Sequence, residues 1–234
     1  MVSDLTHQHP QLRTNQLRKH LADLADFTFV DAPHLLPWYY KPQPGCDPPP
    51  PGGAPRRAWL HTPEQVLGTP GNAQWQAAPQ GLDATQHTRQ TEGWDACWTL
   101  LRAALVAGNY DGLLGFSQGA GIAASVVAML QHTPLPGIHL RFVILCSGYV
   151  PTAPALAPLL GPGAPPLTLP SLHVVGGQDT EVAANASHVL FACFAPDSRQ
   201  MVVHEQGHLM PRAALPQCRA FVLGFMDDTA PIVC

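Results

Sequence analysis

Asp111-Gly112-Leu113-Leu114-Gly115-Phe116-Ser117-Gln118-Gly119-Ala120 is the stretch on which the reading of this chain turns. Its centre, Gly115 to Gly119, fits the pattern G-x-S-x-G, between an apolar run at 113–116 and a small-residue helical run at 118–130. A sharp strand-to-helix turn presents a serine hydroxyl at its tip. Glycines on either side keep side chains away from the strained backbone and from adjacent elements. In a chain with 20 glycines the bare string has little weight. The strand-to-helix setting is what favours a candidate nucleophile over a tight turn carrying a spectator serine.

Outward from that turn, short apolar runs recur at 113–116, 142–146, 172–175 and 201–203, separated by helix-length segments. Strands alternating with helices predict an α/β class: a doubly wound, mostly parallel sheet with helices on both faces. Upstream, Trp94, Cys97, Trp98, Leu101 and Leu105 keep a 3.6-residue period that Gly108 ends, which predicts a helix. Leu17, Leu21 and Leu24 behind a Thr14 or Asn15 cap predict a short amphipathic helix, followed by a strand at 27–30. No apolar strand precedes that helix. The Pro/Gly-rich stretch 41–57 reads as a long exposed loop, and the proline-rich stretch 151–170 as an irregular connection forming a lid or pocket wall. With no internal repeat and no linker between two apolar cores, residues 1–234 read as one domain.

Composition narrows the function classes. With 12 Lys+Arg against 16 Asp+Glu the chain is net acidic, which argues against a nucleic-acid partner. The first residues, MVSDLTHQHP, have neither the basic start nor the apolar stretch of a secretory leader, so a cytoplasmic location is expected. The apolar run 119–130 is too short to span a membrane, which takes about 20 residues. Cys46, Cys97, Cys146, Cys193, Cys218 and Cys234 are scattered, the usage of a reduced compartment. No metal or cofactor is expected.

A serine hydroxyl needs a base, and the base an orienting acid; in doubly wound hydrolases the chain order is serine, acid, histidine. Between Gln118 and His208 the carboxylates are Asp179, Glu181, Asp197 and Glu205. Asp179 follows a buried-type strand that breaks at Gly176-Gly177, where an acid belongs. Glu181 is the fallback, with a competing role as a first-turn acid at a helix N-terminus. Asp197 lies at the wrong end of the sheet, and Glu205 would have to fold back. His208, past Gly207 in the loop after the last strand, is the candidate base. His204 ends that strand and reads as structural or shielding; His173 and His188 read as strand and helix residues. One oxyanion donor comes with the turn: the backbone N–H of Gln118 at its helix N-terminus.

Residues 111–120 closely resemble the central signature of the FSH family of serine hydrolases. The likeness extends to FTFVDAPH at 27–34, Arg57-Ala58-Trp59, FVILCSGY at 142–149, PSLHVVGGQD at 170–179 and Gly207-His208. The resemblance implies an α/β-hydrolase fold with Ser117, Asp179 and His208 as nucleophile, acid and base. Family members begin with an apolar strand whose His-Gly loop supplies the second oxyanion donor, and this chain is polar there. An N-terminal strand missing from the fold is therefore expected, and loss of one oxyanion donor costs about 100- to 1000-fold in rate. The implied activity is hydrolysis of small-molecule acyl esters through an acyl-enzyme. The alternatives are a thioesterase releasing acyl chains, or a hydrolase-fold binding protein without turnover.

Overall fold

The computed structural model describes residues 10–36, 38–40, 57–64, 67, 75–77 and 86–226. In chain order the elements are α1 (Pro10–His20), β1 (His34–Leu35), β2 (Trp38–Tyr40), β3 (Arg57–Ala58), β4 (Trp75–Ala77), α2 (Trp94–Ala107), β5 (Gly112–Phe116), α3 (Gln118–His132), β6 (Phe142–Cys146), α4 (Ala157–Leu160), β7 (Ser171–Gly176), α5 (Ala184–Ala192), β8 (Arg199–His204) and α6 (Leu215–Leu223). Strands β5-β6-β7-β8 form one sheet in that order, all parallel. Phe116 lies opposite Cys146, Cys146 opposite Val174, and Gly176 opposite His204. This register brings the loops after the four strands to the same edge of the sheet.

Strand alternation sorts the side chains into two cores. Leu113, Val143 and Leu145 pack with Leu101 and Leu105 of α2 and Ile122 and Val126 of α3. Leu114, Phe116, Ile144, Leu172 and Val174 pack on the other side with Leu17 of α1, Leu21 and Phe221 of α6. A parallel sheet covered on both faces is what the near-continuous apolar strands require. Helix α2 ends where expected, the Gly108 N–H bonding Ala104 O.

Three local expectations are corrected. Thr14 and Asn15 lie inside α1 instead of capping it, because Pro10 occupies the first helical position, where its missing N–H costs nothing. Leu24 falls in the turn beyond that helix. Residues 27–30 form no strand: Phe27 packs against one core and Val30 against the other, so the segment bridges the two layers. Arg57, read as loop, opens β3, which pairs antiparallel with β1. The rest of the stretch, 41–56, lies outside the described residues. The proline-rich connection is irregular with one short helix, and its Leu156, Leu160 and Leu167 are buried in the α3 core.

The expected missing strand has a counterpart at the edge of the sheet. Ser117 N–H bonds Cys146 O and Arg141 N–H bonds Asp111 O, so alternate residues Gly112 and Leu114 turn their backbone groups away from β6. Among the described residues no strand joins β5 on that side. A cavity of about 450 Å³ lies there, lined by Leu17, Leu21, Leu114, Phe142 and Phe225 among others. No helix among the described residues is long and apolar enough to cross a membrane.

His173 on β7 is a buried exception to the apolar strands. Its Nε2 lies 3.2 Å from Ser171 Oγ, and the rings of Phe191 and Phe194 approach edge-on. Burial pushes its pKa from 6.5 down to about 3. Between those values the unfolded chain holds a proton that the folded chain lacks, so stability is full above pH 6.5 and is lost as the pH falls. The single group should remove about 2 kcal/mol between neutral pH and pH 5. Thermal melts of wild type and His173→Phe over this range check it: the wild-type Tm should fall on acidification, and the variant's should fall distinctly less.

Candidate active site

The turn from β5 into α3 is built by close packing. Ser117 adopts φ 56°, ψ −125°, a left-handed conformation for a residue with a side chain. Such a backbone costs about 1–3 kcal/mol and persists only where its surroundings enforce it. Here Ser117 N–H bonds Cys146 O at 2.8 Å and Ser117 O accepts the Ala120 N–H at 3.0 Å. Gly115 lies so close to the first turn of α3 that a Cβ would sit 2.3 Å from Gly119 O. The Gln118 backbone N–H is in that first turn, where N–H groups have no partner within the helix and the dipole favours negative charge.

Asp179 and His208 meet across the ends of β7 and β8. His208 Nδ1 lies 2.7 Å from Asp179 Oδ2, with both side chains almost wholly buried. The other carboxylate oxygen, Oδ1, accepts the Glu181 and Val182 N–H groups at 2.9 and 2.8 Å. Burial works to raise the Asp179 pKa, but His208, the Val182 N–H and Ser147 outweigh it and hold the carboxyl below its usual value. An ionised carboxylate only accepts, so Nδ1 carries the proton and Nε2 faces away as the acceptor. The two loops are zipped together: Gly177 N–H bonds His204 O, Gln178 N–H bonds Gln206 O, and a Cβ on Gly176 would sit 2.6 Å from Gly207 O. The Phe116 ring, next to Ser117, lies 4.7 Å from the His208 ring.

The other candidates separate cleanly. Glu181 is exposed, and its Oε2 is 3.9 Å from His208 Nε2. It is not a first-turn helical acid, because α5 starts only at Ala184 and the nearby N–H groups are taken by Asp179. Asp197 sits in the turn before β8, and Glu205 is exposed just beyond that strand. His204 is buried, accepting the Gln206 N–H at Nδ1, and burial lowers its pKa. His188 is exposed on α5.

One role was invisible in the sequence. The Gln118 side chain is buried and accepts the Trp59 N–H at 2.7 Å, while its Nε2 donates to Leu60 O and Gln90 Oε1, both at 2.8 Å. Tyr149 OH donates to the same Gln90 oxygen at 2.7 Å. This network pins the 57–62 segment to the Ser117 turn. It also consumes the Trp59 N–H, which is therefore not a second oxyanion donor. The partners Gln90, Leu60 and Trp59 lie 28, 58 and 59 residues away in sequence, so no local pattern announces them.

A family model described as "Serine hydrolase (FSH1)" matches residues 8–217. The chain belongs to this family. Esterase OVCA2 of Homo sapiens is 34% identical to this FSH1-family chain over 228 residues, covering 93% of it and 89% of that protein. Rhodanese-like domain-containing protein 6 of Arabidopsis thaliana is 34% identical over 222 residues, 92% of this chain and 36% of that protein. The chain thus spans about a third of that relative's length. Among solved structures, Arabidopsis thaliana SOBER1 superposes with a TM-score of 0.54 at 16% identity over 96% of each chain, a likeness of fold. The FSH1-family chain has the α/β-hydrolase fold that its sequence motifs imply.

Proposed function

We propose that this protein hydrolyses carboxylic acyl esters through an acyl-enzyme, with Ser117 as nucleophile, His208 as general base and acid, and Asp179 as the orienting acid. The observation that carries the reading is the buried Asp179–His208 hydrogen bond at the sheet edge where the strained Ser117 turn also lies. Relatives named as esterases support the ester class. His208 Nε2 takes the Ser117 Oγ proton as Oγ attacks the ester carbonyl, while Nδ1–H stays bonded to Asp179, which stabilises the imidazolium. The Gln118 N–H donates to the oxyanion of the tetrahedral intermediate. The imidazolium then protonates the departing alkoxide, and a water activated the same way releases the acid.

The test is labelling by a fluorophosphonate, which forms a bond only with an activated serine. Wild type should label, and Ser117→Ala and His208→Ala should not. A folded wild type that stays unlabelled sinks the enzyme reading and favours a hydrolase fold that binds without turnover.

A further inference from the structure

Ser147, just past the end of β6, has a positive φ as Ser117 does: it is 46°, on a residue whose side chain makes that region costly. The residue is buried, 1% exposed. Its own N–H bonds Val174 O on β7 at 2.9 Å, and the carbonyl just before it, on Cys146, holds the Ser117 N–H. The peptide around Ser147 therefore ties the serine turn on one side to the acid-bearing strand on the other. Gly148 follows, crowded by Ala120 and Leu190, with its carbonyl held by Ser187 Oγ. Neighbours on both sides thus enforce the strain.

The Ser147 hydroxyl is buried and, among the described residues, has no partner in hydrogen-bonding geometry. An orphaned buried hydroxyl costs about 1–3 kcal/mol. A glycine at this position would avoid both that cost and the backbone strain. Asp179 lies in the loop that follows the adjoining strand β7, whose Val174 O holds the Ser147 N–H, and a hydroxyl donor there favours the ionised carboxylate.

We infer that Ser147 is a positioning residue for the Asp179–His208 pair, its hydroxyl poised at the tip of β6 to donate to Asp179 during turnover. Oδ1 is already occupied by two backbone N–H groups, and Oδ2 by His208. A further donor steadies the carboxylate as the imidazolium forms and leaves, without itself touching substrate. Among the described residues, the charged or titratable groups that bear on the pair include Glu181, 3.9 Å from His208 Nε2, and the buried His204, whose charged form Asp179 favours. The inference rests on the hydrolase reading proposed above.

The experiment compares wild type, Ser117→Ala, Ser147→Ala and Ser147→Gly by p-nitrophenyl butyrate kinetics, fluorophosphonate labelling rate and thermal melting. Both Ser147 variants should lose about tenfold in kcat with KM changed by less than about twofold, the signature of an interaction used in the transition state. The acid limb of the pH–rate profile should move in both. Ser147→Gly, freed of the left-handed strain, should melt at least as high as wild type, so its loss of rate is not a loss of fold. A Ser147→Gly enzyme with wild-type kcat and pH profile would overturn the inference and reduce Ser147 to a turn residue. If wild type and Ser117→Ala label alike, the hydrolase reading fails first, and the role of Ser147 falls with it.

Discussion

Asp179→Asn should leave the protein folded and lower kcat for ester hydrolysis by about 10⁴-fold. The asparagine oxygen can still accept the Glu181 and Val182 N–H groups that Oδ1 accepts now. Its amide then points N–H groups at His208 Nδ1, 2.7 Å from the present Oδ2. That reverses the hydrogen bond: Nδ1 must accept, the proton moves to Nε2, and the imidazole no longer takes the Ser117 proton. Glu181→Gln is the companion variant, because Glu181 is the other carboxylate near the ring, exposed and 3.9 Å from Nε2. It should stay within about threefold of wild type, since an exposed pair contributes little. Steady-state kinetics on both decide the acid. A Glu181→Gln enzyme as impaired as Asp179→Asn would overturn the assignment.

Gly115→Ala should be the most destabilising single methyl in this region. The added carbon would sit 2.3 Å from Gly119 O and 2.5 Å from Ala120 Cα, both backbone atoms of the first turn of α3. Neither can rotate aside, so the helix must move away from the sheet. Overpacking of this kind costs about 3 kcal/mol or more when the obstacle is main chain. The same movement drags Ser117 and the Gln118 N–H, so activity should fall with stability. Gly137→Ala is the contrast: its φ is +80°, yet a Cβ there meets nothing within 4 Å. It should cost about 1 kcal/mol through backbone conformation alone. Urea denaturation at equal m-values measures both, and equal losses at the two sites would refute the packing argument.

The four parallel strands, the helices between them and the Ser117 turn were legible because each rests on local chemistry. A buried strand shows itself as a short apolar run, a covering helix by its period, and the turn by glycines where side chains do not fit. That Asp179 and His208 meet was legible for a related reason. A parallel sheet places every loop after a strand at one edge, so chain order already brings the loops after β7 and β8 together. Failures fell where burial and pairing part company: residues 27–30 are apolar because they wrap between two cores, and β3 begins in a stretch that prolines marked as loop.

What the sequence by itself determined, then, is the α/β layering, the family, and which serine, aspartate and histidine to test. Only the tertiary structure decided between Asp179 and Glu181 as the partner of His208. It alone showed the Gln118 side chain clamped to Trp59 and Leu60, and Ser147 strained beside the acid. The reason is range. A period or a turn is a property of neighbours in the chain. A hydrogen bond across about 60 residues exists only once the sheet has set its register and the loops have closed over its edge.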